Sequence, residues 1–149
     1  MTPSTAVGLG QSPTLSTSFD LETFAATRRG VTSTARACGL DGEALDGFTL
    51  ATGEVVANAI VHGGGTGILL MWSDGSHLHC QVSDNGPGIP ADRIPPPPPA
   101  PPPPHAVSGR GLWLAYQCCQ LEFRTSRHGT TVELRTRVPL AVDADRPRE

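Results

Sequence analysis

Apolar and polar positions follow two rhythms along this chain, and the switches between them mark its elements. Leu15, Phe19 and Leu21 give the span 15–22 the character of a first strand. A helix follows from about Thr23 to Cys38, with Gly30 inside it and Gly39 placed as a C-cap. Phe48, Ala51, Val55, Ala59 and His62 then recur at helical spacing and predict a second helix from about Gly47 to His62. Either Asp46 or Asp41 suits its cap, and Gly63-Gly64-Gly65 ends it. The apolar run Gly67 to Ser73, the turn Asp74-Gly75 and the alternation of Leu78, Cys80 and Val82 within His77 to Ser83 read as a hairpin. Leu112, Ala115 and Tyr116 predict a helix over Gly111 to Cys119. Leu121 to Ser126, a turn at Arg127-His128-Gly129 and Thr130 to Val138 predict a second hairpin. Hairpins beside helices argue an α+β fold: a two-layer sandwich whose mixed, mostly antiparallel sheet carries helices on one face.

Composition refines the picture where the rhythm fails. Residues 1–14 are rich in Thr, Ser, Gly and Pro, and 141–149 are charged, so both read as disordered tails around one domain at 15–140. Residues 95–104 are nine prolines and one alanine, a stretch that suits a solvated polyproline II rod or loop. A net charge of −3 without a basic stripe argues against nucleic-acid binding. No run of 18 consecutive apolar residues occurs, which argues against a membrane span, and no signal-peptide pattern opens the chain. Cys38, Cys80, Cys118 and Cys119 form no CxxC pair and read as reduced, mostly buried thiols of a cytoplasmic protein rather than zinc ligands.

Three segments carry candidate chemistry. Glu54 and Asn58 lie four residues apart and share a helix face amid Val55, Val56, Ala57 and Ala59. An amide oxygen suits Mg²⁺, and a carboxylate one turn away suits proton transfer or orientation of a nucleophile; the pair equally suits a solvated face. Asp84-Asn85-Gly86-Pro87-Gly88 follows a strand. It reads either as a plain turn or as an acceptor for an exocyclic amine, with Gly86 and Gly88 leaving room for a base against backbone. Gly109-Arg110-Gly111-Leu112 opens a helix, where free N–H groups, the dipole and the arginine fork suit phosphate; Arg110 equally suits solvent. Gly129-Thr130, alone, is a turn and a strand start.

In order, these segments resemble the boxes of the GHKL (Bergerat-fold) ATPases, over roughly residues 20–138. Glu54-x-x-x-Asn58-Ala59 is similar to the N box, Asp84-x-Gly86-x-Gly88 to the G1 box, Gly109-x-Gly111-Leu112 to the G2 box and Gly129-Thr130 to the late Gly-Thr pair. The resemblance implies ATP and Mg²⁺ as ligands. It implies that Asn58 coordinates Mg²⁺, Glu54 acts as general base or orients the attacking hydroxyl, Asp84 accepts the adenine amine, and Gly86 and Gly88 line the pocket. Gly109, Arg110, Gly111 and Leu112 would flank the lid and hold phosphate, and Thr130 would reach adenine through a water. The proline run falls where the family carries a mobile lid.

The stretch Glu54 to Gly63 is most similar to the small anti-sigma regulatory serine/threonine kinases. No dimerisation helix with a phosphorylatable histidine precedes Glu54, which sets an expectation against a complete sensor histidine kinase. The resemblance implies a homodimer that phosphorylates a small antagonist (anti-anti-sigma) protein and sequesters a sigma factor, without nucleic-acid or membrane partners. Its rivals are an ATP-binding regulatory module without phosphotransfer and a switch kinase acting on a signalling phosphatase.

Overall fold

The structure, a computed structural model, describes residues 14–88, 115 and 117–138. The elements run β1 (Leu15–Asp20), α1 (Phe24–Ala37), α2 (Gly42–His62), β2 (Thr66–Ser73), β3 (His77–Asp84), β4 (Gln120–Ser126) and β5 (Gly129–Arg137). The strands form one five-stranded sheet in the order β1-β2-β3-β5-β4, and each neighbouring pair is antiparallel. Residues 115, 117 and 118 are helical within the predicted third helix. The proline run, the Gly109 to Leu112 segment, both predicted tails short of Thr14 and the span beyond Val138 lie outside the described residues.

Local chemistry explains the boundaries. β1 stops at Asp20 because its carboxylate Oδ1 accepts from the Thr23 N–H at 2.9 Å, while its own N–H donates to Thr23 Oγ1 at 2.9 Å. That reciprocal pair turns the chain into α1. At the other end Gly39 adopts φ +111°, and Leu40 and Gly39 donate to the carbonyls of Ala35 and Arg36 at 3.1 and 3.0 Å. This is the two-bond glycine closure of a helix C-terminus. The second helix starts five residues before Gly47. Gly42 enters it at φ +57°, Leu45 donates to the Asp41 carbonyl at 3.2 Å, and the Leu45 side chain is buried. Asp41 occupies the N-cap without a side-chain capping bond, and Asp46 lies inside the helix. The β2–β3 hairpin turns on Asp74: Oδ1 accepts from the N–H groups of Ser76 (2.9 Å) and His77 (2.8 Å), and Gly75 sits at φ +94°.

Strand alternation sorts the side chains into two faces. Phe19, Leu69, Met71, Leu78, Cys80, Val82, Val132 and Leu134 point inward and are buried. Onto them pack Val31 and Ala35 of α1 and Leu45, Phe48, Ala51, Val55, Val56 and Ala59 of α2. Burying one such side chain contributes about 1.5–3 kcal/mol, so α2 is the element on which the core depends most. By length and composition α2 is also apolar enough to cross a membrane, although it is no unbroken apolar run. Its apolar residues are used here against the sheet. On the opposite sheet face the Trp72 and His79 rings stack at 5.0 Å between centroids, and His79 Nε2 pairs with Asp74 Oδ2 at 2.9 Å.

Candidate functional site

Three chain ends meet where β3 finishes: the C-terminus of α2, the turn after Asp84 and the β4–β5 hairpin. Asp84 is the last residue of β3 and lies in register with Gly67 on one side and Thr130 on the other. Its Oδ1 accepts from the Gly86 N–H at 2.9 Å and the Thr130 N–H at 3.3 Å. Its Oδ2 makes no hydrogen bond among the described residues and lies against Gly63. One oxygen therefore fixes the carboxylate and the other is available.

The glycines are explained by the protein's own backbone. A Cβ at Gly63 would run into Asp84 Oδ2, and one at Gly86 would fall 2.6 Å from the Gly63 Cα. A Cβ at Gly88, where φ is +87°, would strike the Ser126 carbonyl, and one at Gly129, at φ +144°, would strike the Asp84 carbonyl. The space the missing side chains of Gly86 and Gly88 would fill is taken first by Gly63 and Ser126. The absence of Cβ atoms lets three backbones close around one carboxylate.

Thr130 is buried, and its Oγ1 lies 3.0 Å from Thr125 Oγ1 across the β4–β5 pair. Its side chain is thus engaged within the hairpin, while its N–H holds Asp84. Glu54 and Asn58 sit half-buried one turn apart on α2, ahead of Gly63. Neither side chain makes a hydrogen bond or ion pair among the described residues. The structure thus joins Asp84, Gly86, Gly88 and Thr130 directly. Glu54 and Asn58 connect to them through the helix end, with no side-chain contact to the cluster. Gly109, Arg110, Gly111 and Leu112 lie outside the described residues.

Gly63 is the participant that sequence reasoning missed as a site residue. It read as a helix stop, which it is, with its N–H donating to the Ala59 carbonyl at 2.8 Å. The signal available was a glycine triplet longer than a helix stop requires. The four cysteines are free. Burial pushes the Cys119 thiol up to about 12, with the adjacent Cys118 adding to the effect, and raises Cys80 further and Cys38 and Cys118 less. Protonated thiols agree with the reading of these residues as reduced, although only Cys80 is fully buried and the other three are half-buried. Among the described residues no group of His, Cys, Asp and Glu side chains forms a metal cluster.

Residues 17–136 match the family described as the histidine kinase-like ATPase domain. The chain belongs to that family. Within it, the chain is 36% identical over 95 residues to the sensor-type histidine kinase PrrB of Mycobacterium leprae (strain TN), covering 60% of this chain and 20% of that protein. It thus spans a fifth of the length of this curated relative. Among solved structures, the Erythrobacter litoralis EL346 blue-light activated histidine kinase matches with a TM-score of 0.52 at 20% identity, over 81% of this chain and 43% of that one. The histidine kinase domain from the same protein matches with a TM-score of 0.50 at 18% identity, over 91% and 72%. These likenesses confirm the α+β sandwich of a histidine kinase-like ATPase domain. Membership of an ATPase domain family implies ATP binding.

Proposed function

We propose that the chain is an ATP·Mg²⁺-dependent protein kinase of the anti-sigma regulatory type, acting on a Ser or Thr of a small antagonist protein. The observation that carries the proposal is the split role of Asp84: Oδ1 is tied to two backbone N–H groups and Oδ2 is left to accept. A carboxylate oriented in this way accepts an exocyclic amine without reorganising, as the adenine N6 amine requires. Asn58 and Glu54 are half-buried and make no hydrogen bond among the described residues, so both side chains are available to a cation. Asn58 would hold Mg²⁺ through its carboxamide oxygen, and the metal would supply charge neutralisation for the phosphates. Glu54 would take the proton of the acceptor hydroxyl. Gly109, Arg110, Gly111 and Leu112 would complete the phosphate side. Support for the serine/threonine specificity comes from the stretch Glu54 to Gly63. In this reading the protein is a cytoplasmic homodimer that also sequesters a sigma factor.

A second reading is favoured by the likeness to a sensor-type histidine kinase. In it the chain is the ATP-binding part of a system that phosphorylates histidine. Labelled γ-phosphate separates the two. Acid-stable label on a purified antagonist protein, lost in Asn58→Ala with the fold intact, supports the first reading. Acid-labile label on histidine overturns it in favour of the second. Unchanged transfer by Asn58→Ala overturns the metal assignment.

A further inference from the structure

Sharing no residue with the Asp84 cluster, an open cleft of about 470 Å³ lies along the outer side of α1, with Thr49 of α2 at its edge. Arg28, Arg29 and Arg36 line it, with the hydroxyl residues Thr32, Ser33 and Thr49. All three arginines are exposed, and among the described residues none forms an ion pair. The cleft is built rather than incidental. Arg28 lies over the Phe24 ring at 5.7 Å, and its Nε would be 3.4 Å from a Cβ at Gly53, so its stem rests where α2 has no side chain. Thr32 Oγ1 donates to the Arg28 carbonyl at 3.0 Å and lies 3.3 Å from Thr49 Oγ1, tying the two helices at the edge of the cleft.

We infer that this cleft is a docking surface for an acidic helical segment of a protein partner. The charges identify the occupant. Three guanidinium groups without carboxylate partners among the described residues favour an anionic occupant. Spacing identifies its shape. Arg28 and Arg36 are eight residues apart, roughly 12 Å along the helix axis at 1.5 Å per residue. A single phosphate reaches one end only. Two carboxylates eight residues apart on a partner helix have the same rise and meet both ends. Arginine forks hold such carboxylates in two-point contacts, and the association is steered by charge and weakened by salt. The inference does not depend on phosphoryl transfer and stands or falls separately from it.

The test is fluorescence anisotropy of the full chain with a labelled helical peptide bearing glutamates eight residues apart on an Ala/Gln background. The same peptide with Gln in place of Glu is the control. The Glu peptide is expected to bind at low salt and to be released at high salt. Arg28→Gln with Arg36→Gln is expected to weaken binding by about tenfold or more, and Arg28→Lys with Arg36→Lys to retain part of it. ATP binding by each variant reports that the fold is kept. No salt-dependent binding of the Glu peptide, equal binding of the Gln control, or unchanged binding by the Gln double variant overturns the inference. Displacement of the peptide by equimolar inorganic phosphate also overturns it, in favour of a small-anion site.

Discussion

The Asp84 cluster and the Glu54–Asn58 face of α2 are built on opposite plans. Around Asp84 every available constraint is used: two backbone N–H groups fix one oxygen, and four glycines let backbone close on backbone. On α2 the two polar side chains share a face and have no partner among the described residues. Orientation at the first site is set before any ligand arrives, so recognition there needs no ordering of side chains. At the second, the polar groups are held by the helix without protein partners among the described residues, which suits ligands that bring their own charge. Substitutions should therefore damage the first region through folding and recognition together, and the second through function alone.

The largest effect is expected at the glycines. Gly86→Ala forces a Cβ against the Gly63 backbone, and Gly88→Ala adds the strain of φ +87° to a collision with Ser126. Each should cost about 3 kcal/mol, read as a lower denaturation midpoint with unchanged slope. A stability loss below about 0.5 kcal/mol would show that the backbones do not close as described. Asp84→Ala should cost about 2 kcal/mol, because it leaves the Gly86 and Thr130 N–H groups without their acceptor. Asp84→Asn keeps an acceptor oxygen for them and presents an amide NH₂ to the ligand. It should cost under about 1 kcal/mol while weakening nucleotide binding tenfold or more. Asn58→Ala and Glu54→Gln should change stability by no more than about 0.5 kcal/mol and abolish phosphotransfer. If either unfolds the protein, the contrast between the two regions is lost.

The smallest effects sharpen the background. Thr52 Oγ1 is buried beside the Cys80 thiol, a weak hydrogen-bond partner, so Thr52→Val should change stability by no more than about 1 kcal/mol in thermal denaturation. At the outer hairpin the His79 ring, together with the backbone N–H groups of Ser76 and His77, holds the Asp74 carboxyl well below the usual carboxylate range. Its folded value is depressed, so its contribution is present above the unfolded value of 3.8 and is lost as pH falls below it. Solvent screening keeps that contribution under about 1 kcal/mol, and Asp74→Asn should flatten this part of the acid limb.

Element order was legible in the sequence because turn chemistry punctuates it. Gly39, the glycine triplet after His62, Asp74-Gly75 and the turn before Thr130 are local signals, and each marks a boundary in the structure within a few residues. The start of α2 was not legible, since between Gly42 and Asp46 only Leu45 carries the apolar rhythm. The helix begins there because Gly42 admits a positive φ and Leu45 is buried, and both depend on tertiary packing. The same limit governs the site. Asp84, Gly86, Gly88 and Thr130 stood out by spacing, but which backbone each glycine meets is a matter of contacts 20 to 45 residues apart in the chain, as between Gly63 and Gly86 or Gly129 and Asp84. A pattern of residue types identifies such glycines without saying what they accommodate.

Calorimetric titration of ATP into the wild-type chain, with and without Mg²⁺, beside Asp84→Asn and Asn58→Ala, tests the central claim most directly. The account predicts that Asp84→Asn loses binding by the same factor in either condition, because its oxygen reads the base. It predicts that Asn58→Ala loses only the increment that Mg²⁺ adds. Binding unaffected by Asp84→Asn, or no binding by the wild type at millimolar ATP, would contradict it.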